Sequence, residues 1–174
     1  MASFAVTREL YDQACAHLRG PVEQVGFFLA DFDSGSRRFV LREWRSIPPD
    51  GFEYQGAHHV TLTDETKTEI IRWAWGKRAS LVEAHSHLGL DPAEFSPSDL
   101  RGFREWVPHL FWRLRRSPYA ALVTADQTFD ALAWVETAER PEQVDRLELD
   151  DGTVLTPTKR TLSELPCDGD SEVT

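Results

Sequence analysis

The sequence predicts an α/β protein in which helices flank a layered, mixed β-sheet. Segments with apolar residues at helical spacing alternate along the chain with short apolar runs that are typical of buried strands. Some of these runs follow one another across tight turns, and others are separated by helices, so antiparallel and parallel pairings are both expected. With 174 residues, of which 41% are hydrophobic, the chain can bury a substantial core.

The first half of the chain is predicted to contain two capped helices and two long strands. Thr7 and Thr63 are suitable N-caps, and Gly20-Pro21 and Gly76 are suitable stops. The predicted elements are a helix over 7–18, strands over 23–32 and 37–44, a loop over 45–57, a short strand over 59–62 and a helix over 63–76.

The second half is predicted to contain a long helix between strands. Pro97 lies at the first position of this helix, and Pro108 predicts a kink or two consecutive helices. Strands are expected over 80–87, 119–125 and 129–135, with a small hairpin over 146–155. We expect residues 1–160 to form one domain and residues 161–174 to be a flexible acidic tail.

Charge and cysteine content restrict the partners and the compartment. The 29 acidic and 19 basic residues give a formal charge of −10, which argues against binding nucleic acid through its phosphates. Cys15 and Cys167 are far apart and form no metal-binding pair, so a disulfide framework is not expected. We find no signal-peptide pattern and no apolar run of membrane-spanning length, and expect a cytoplasmic protein with no membrane partner.

A metal-binding pattern surrounds the strand predicted over 80–87. Because side chains alternate along a strand, Glu83, His85 and His87 share one face. Asp99 follows within Ser96-Pro97-Ser98-Asp99, which has the form of a helix start. Two imidazoles and one carboxylate leave one place free on a tetrahedral zinc ion, as in catalytic zinc sites.

These residues resemble the signature of the JAMM (MPN-plus, JAB) zinc metallopeptidases. The family carries His-Ser/Thr-His followed by Ser-x-x-Asp, which correspond here to His85-Ser86-His87 and Ser96-Pro97-Ser98-Asp99. It also has an early glutamate before a glycine and an apolar run, as in Glu23-Gln24-Val25-Gly26-Phe27-Phe28-Leu29. The spacer of eight residues is one longer than is usual in the family, and Leu88 replaces a common proline.

The resemblance implies a fold, a metal and a reaction. The fold would be the MPN, cytidine-deaminase-like architecture. One Zn²⁺ per chain would be held by His85, His87 and Asp99, with Glu23 activating the water in the fourth position and Ser96 stabilising the oxyanion. The activity would be that of an isopeptidase that cleaves after the C-terminal glycine of a ubiquitin-like protein.

Two residue assignments have alternatives in the sequence itself. Ser96 and Asp99 could form a capping box at the start of a helix without any metal. Glu83 shares the face of the histidines and could be the base in place of Glu23, or could orient one of the ligands. His58-His59 is expected to lie on the surface or to contact substrate.

The sequence also bears on three other functions. A non-catalytic scaffold and a processing peptidase for a sulfur-carrier protein both remain open, and the resemblance to stand-alone bacterial members suggests E1/E2-like partners or a role in antiviral defence. A zinc deaminase would need His-x-Glu and Pro-Cys-x-x-Cys, which do not occur. For an isopeptidase, the loop over 47–59 and the segment over 137–144 are the expected substrate-contacting surfaces.

Overall fold

The computed structural model describes residues 1–89 and 92–163. They form ten strands, four α-helices and a 3-10 turn at Pro49–Gly51. In chain order the strands and α-helices are β1 (Ala2–Val6), α1 (Arg8–Leu18), β2 (Val25–Asp33), β3 (Arg38–Ser46), β4 (Phe52–Gln55), β5 (Val60–Leu62), α2 (Asp64–Lys77), β6 (Ser80–Ser86), α3 (Pro97–Arg113), β7 (Tyr119–Ala125), β8 (Thr128–Trp134), β9 (Glu142–Leu149), β10 (Val154–Leu155) and α4 (Arg160–Ser163).

The main sheet closes on itself. Its strand order is β1-β3-β2-β6-β7-β8-β9, and β1 also pairs with β9, so that seven strands form a closed barrel with β10 paired to β9. The predicted layered sheet flanked by helices, and with it the MPN architecture that the resemblance implied, is therefore wrong. The reason is β1, which the sequence pattern does not identify and which pairs in parallel with both β3 and β9.

Alternation along the strands separates two apolar clusters. One cluster contains residues from all seven barrel strands, such as Phe4, Val82 and Leu147, and therefore fills the barrel interior. The other joins the outward-facing residues of β2, β6, β7 and β8 to α2 and α3. Helix α1 contributes Ala14 and Leu18 to the interior cluster, so it covers the end of the barrel where β1 finishes and β2 begins.

Most predicted elements are confirmed within a few residues, and besides the unpredicted β1 and α4 three details differ. Phe52–Gln55 is a strand inside the predicted loop and pairs with β5. Gly76 lies inside α2, which ends at Lys77 with Arg78 in the left-handed region at φ 52°. Pro108 lies within one continuous helix, on an exposed side where water can satisfy the carbonyl that loses its partner.

The carboxyl-terminal part of the chain is anchored to the barrel up to α4. Thr161 is buried, although it falls in the segment predicted as a tail, and residues 164–174 of that segment lie outside the described residues. No helix among residues 1–89 and 92–163 is long and apolar enough to cross a membrane.

Candidate metal centre

The candidate ligands come from one end of the barrel. β6 lies between β2, which is antiparallel to it, and β7, which is parallel to it, so β6 and β7 finish where β2 begins. His85 points to the outer face of the barrel, in line with outward-facing Leu81. His87 follows β6 directly, and its backbone N–H donates to the Thr124 carbonyl at 2.8 Å, which fixes the histidine segment against β7.

The third ligand comes from the start of α3. Ser96 is the N-cap, and its hydroxyl oxygen accepts from the Asp99 backbone N–H at 3.1 Å. Asp99 Oδ2 in turn accepts from the Ser96 backbone N–H and hydroxyl, both at 2.7 Å. The capping box is therefore present. It orients the Asp99 carboxylate and is compatible with the location of this carboxylate beside the two histidines.

Three ligand atoms converge in this geometry. One atom each from His85, His87 and Asp99 lies within 4.8 Å of the others. Asp99 Oδ2 is 3.1 Å from His87 Nε2, and Asp99 Oδ1 is 3.6 Å from His85 Nε2. Two ligands at ordinary zinc distances from a tetrahedral ion lie about 3.3 Å apart, and each of these spacings, measured to a different Asp99 oxygen, is close to that value.

The state of His85 supports a metal ion at this place. Its side chain is buried, and neither ring nitrogen has a hydrogen-bond partner among the described residues. Nδ1 lies 3.3 Å from Glu83 Oε1 but is not aligned for a hydrogen bond, while Glu83 Oε2 accepts from the Tyr119 hydroxyl at 2.7 Å. Unsatisfied buried nitrogens are costly, and a metal bound to Nε2 would satisfy one of them.

The electrostatics of the cluster also favour a cation. Burial alone would lower the pKa of His85, but the carboxylates of Asp99 and Glu83 more than offset it and raise this pKa to about 10. Burial would raise the pKa of Asp99, but His85 and His87 hold it well below its usual range. A metal ion would therefore replace a proton at a position that already attracts positive charge.

Glu23 lies beside this cluster. Val25 pairs with His85, so the same register continued by two residues places Glu23 opposite His87. Its backbone N–H donates to the Gly56 carbonyl at 2.9 Å, which ties it to the segment after β4. Its side chain is buried, and burial raises the pKa of its carboxyl, an effect that His87 and His85 partly offset.

A cleft of about 570 Å³ opens over the cluster between α2, α3 and β5. Glu23, His85, Ser96 and Asp99 all line it, together with His58-His59, which were expected to contact substrate or solvent. Thus every predicted site residue except His87 lines one cleft, and His87 reaches the cluster through its Nε2 atom.

A second cavity, of about 850 Å³, lies at the mouth of the barrel between α1 and the turn after β7. His87 and Cys15 are among its lining residues. Burial raises the pKa of the Cys15 thiol, so this sulfur is a poor nucleophile.

The structure adds one site residue that the sequence pattern does not identify. Tyr119 is fully buried at the start of β7 and holds the Glu83 carboxylate that faces His85. The sequence pattern predicts only that Tyr119 belongs to a strand. Its role depends on the pairing of β6 with β7, which places Tyr119 opposite Leu81 and so beside Glu83 on the same face.

Comparison with known proteins supports the fold alone. No family model and no curated protein matches this chain. Among solved structures, it is similar to the solution structure of protein DSY2949 from Desulfitobacterium hafniense, a structural genomics target, with a TM-score of 0.55 and 15% sequence identity. The match covers 85% of this chain and 96% of that one, so the two share an architecture over most of their length.

Proposed function

We propose that this protein is a zinc-dependent peptidase of the JAMM type that cleaves the amide bond after the C-terminal glycine of a ubiquitin-like protein. The observation that carries the proposal is the convergence of His85, His87 and Asp99 beside the buried Glu23 carboxylate in one cleft. This local arrangement of a strand end and a helix start does not depend on whether the sheet is open or closed.

The chain would supply both proton transfer and metal binding. Zinc, when bound by His85, His87 and Asp99, would act as a Lewis acid toward the scissile carbonyl and make attack by water possible at neutral pH. Glu23 would accept a proton from the attacking water and pass it to the leaving amine. Its raised pKa suits this role, because a base that must also release a proton works best with a pKa near the working pH.

Ser96 would stabilise the developing oxyanion. Its hydroxyl donates to Asp99 Oδ2, and its backbone N–H donates to the same oxygen. If the hydroxyl turns toward the substrate, the backbone N–H still holds Asp99 in place. Once turned away from Asp99 Oδ2, the Ser96 hydroxyl would be a donor where negative charge develops.

The shape of the cleft suits an extended substrate tail. Val60–Leu62 of β5 lines the cleft and pairs with β4 on one side only within the described part of the chain. An extended peptide could add to the other edge of β5, with its backbone hydrogen-bonded and its final glycine beside the ligands. The group attached to that glycine decides whether the substrate is an isopeptide conjugate or a precursor, including a sulfur-carrier precursor.

The test is metal content together with cleavage of a ubiquitin-like protein fused to a reporter through its C-terminal glycine. We expect one zinc per chain and cleavage after that glycine, with loss of activity on chelation and recovery when zinc is restored. Zinc without cleavage of any such fusion would favour the non-catalytic scaffold. Cleavage that survives complete removal of metal would contradict the proposed mechanism.

A further inference from the structure

Basic residues are concentrated near the carboxyl ends of α2 and α3. Segment 72–78 holds three basic residues, and segment 101–116 holds five. The two segments together contain one acidic residue, Glu105, although the whole chain has a formal charge of −10. All eight basic side chains are exposed. These two segments are therefore basic within an acidic chain.

Two exposed tryptophans lie within this basic region. Trp112 is 73% exposed and Trp75 is 49% exposed. The Arg115 guanidinium lies 4.9 Å from the ring centre of Trp75, and that of Arg113 lies 5.7 Å from the ring centre of Trp112. The Arg115 contact joins the ends of α2 and α3 into one surface, which we call the arginine–tryptophan surface: Trp75, Trp112, Arg113 and Arg115.

Ion pairs within the described part of the protein do not account for these basic residues. Of the eight basic residues, Lys77 alone forms an ion pair, with Glu43, among residues 1–89 and 92–163. Cations in the last turn complement a helix dipole, which accounts for Arg113. The helix dipole does not account for Arg101 or Arg104, because both lie in the half of α3 nearer its amino end. It also does not account for the two solvent-exposed indoles.

A row of rings connects this surface to the cleft. Trp106 and His109 line the cleft, and their ring centres are 6.1 Å apart. His109 is in turn 6.2 Å from Trp112, one helical turn further along α3. A partner bound at Trp112 would therefore lie along the path that leads to the candidate metal centre.

We propose that the arginine–tryptophan surface binds an acidic segment of a protein partner, with an apolar side chain of that segment packed against Trp112. Tryptophan and arginine are the residues most often found at the energetic centre of protein interfaces. Arg113 and Arg115 form no ion pair within the described part of the chain, so no carboxylate of that part neutralises their charges at this surface. The acidic remainder of the chain would repel a long polyanion, so the surface suits a short acidic segment, and its exposed indoles offer a contact to an apolar side chain of that segment.

The test uses the full chain and a twelve-residue fluorescent peptide of Asp and Glu with two Leu residues. We expect saturable binding that weakens in 0.5 M salt, and a Trp112→Ala/Arg115→Ala variant that binds at least about tenfold more weakly. In ¹⁵N-labelled protein the indole N–H signals of Trp112 and Trp75 should shift, while that of buried Trp134 should not. The matched control, Arg140→Ala/Val154→Ala, removes an exposed arginine and an exposed apolar side chain elsewhere and should bind normally.

Three results would overturn the proposal. One is no binding of the acidic peptide at millimolar concentration by folded protein. Another is equal loss of binding in the Arg140→Ala/Val154→Ala control. The third is that a twelve-nucleotide single-stranded oligothymidylate binds more tightly than the peptide, and that the Trp112→Ala/Arg115→Ala variant loses this binding. That result would assign the surface to nucleic acid.

Discussion

Asp99 shows how one residue can have both a structural and a chemical position. Its Oδ2 atom completes the capping box with Ser96, and the same carboxylate faces His85 and His87. Replacing Asp99 would therefore disturb the start of α3 and the candidate ligand set together. The two histidines separate these effects, because neither of them caps a helix.

The first prediction concerns zinc content. His85→Ala/His87→Ala should lose stoichiometric zinc but keep its fold, because the variant removes two ligands and leaves the packing of β6 against its neighbours. Metal analysis and far-ultraviolet circular dichroism check this. The control, His58→Ala/His59→Ala, removes two exposed imidazoles that line the same cleft and should retain one zinc. A full equivalent of zinc in the His85/His87 variant would remove the assignment.

The second prediction separates the two glutamates. Glu23→Gln should keep zinc and lose activity by about a hundredfold or more, because it removes the base and no ligand. Glu83→Gln should instead weaken zinc binding by about 10- to 100-fold, because Glu83 lies beside His85 Nδ1 and is held by Tyr119. Zinc titration and kcat/KM on one substrate distinguish them. An active Glu23→Gln enzyme and an inactive, zinc-replete Glu83→Gln enzyme would reverse the assignment.

The third prediction rests on the raised pKa of Glu23. A base works only when deprotonated, and burial raises the pKa of this carboxyl. Activity should therefore be present above the raised pKa and fall as the pH drops through it, at a higher pH than for an ordinary glutamate. The measurement is kcat/KM against pH, with zinc content followed at each pH to separate protonation of Glu23 from loss of metal. A flat profile down to the ordinary glutamate range would show that the pKa of Glu23 is not raised in the zinc-bound enzyme.

At the scale of elements, helix starts are predictable from local chemistry. Thr7, Thr63 and Ser96 each accept the expected backbone hydrogen bond as N-caps. The missed strand β4 lies between Pro48-Pro49 and Gly56 and owes its order to pairing with β5. Such pairing depends on contacts between segments, which apolar periodicity within one segment does not report.

The structure also changes the expected substrate surfaces. Ile47 and Gly51 are buried, so only the exposed positions of the 47–59 loop can contact a partner, and of these His58 and His59 line the cleft. Segment 137–144 comes after β8, which runs antiparallel to β7 and ends away from the metal site. It therefore lies at the far end of the barrel from the candidate ligands.

The fourth prediction uses this distinction. Replacing Ala57-His58-His59 with Gly-Ser-Gly should raise KM for a ubiquitin-like fusion more than for a short peptide, because the exposed tip before β5 would contact the folded body of the substrate. Gly56, which accepts from the Glu23 backbone N–H, is left in place. A matched Gly/Ser replacement of exposed residues 136–137 at the far end should change neither KM. An equal increase for both substrates in the first variant would remove the contact.

At the scale of the whole molecule, barrel closure could not be predicted. It depends on pairs such as Phe4 with Leu147 and Val6 with Leu149, which are joined only in the folded state. The apolar pattern shows which residues are buried, but it does not show which strands are neighbours. The wrong prediction of the sheet does not affect the metal-ligand pattern, because a strand end, a short spacer and a helix start are local features.

A buried carboxylate ties the end of the described chain to both the barrel and the candidate site. Asp130, fully buried on β8, accepts from the Thr161 backbone N–H at 3.0 Å and from its hydroxyl at 2.6 Å. Thr161 Oγ1 in turn accepts from the Phe95 backbone N–H at 3.0 Å. Phe95 packs against His85, with ring centres 5.6 Å apart, and directly precedes Ser96.

The fifth prediction is that Asp130→Ala destabilises the whole protein and loosens the metal site together. The substitution leaves the buried Thr161 N–H and hydroxyl without their Asp130 acceptor, which should cost about 2–4 kcal/mol in the free energy of unfolding. Because Thr161 also holds the segment that leads into α3, zinc affinity should fall as well. Urea unfolding and zinc titration measure the two effects, with exposed Glu139→Ala as the control. Lower stability with unchanged zinc affinity would show that the Asp130–Thr161 pair supports the barrel but does not position the ligands.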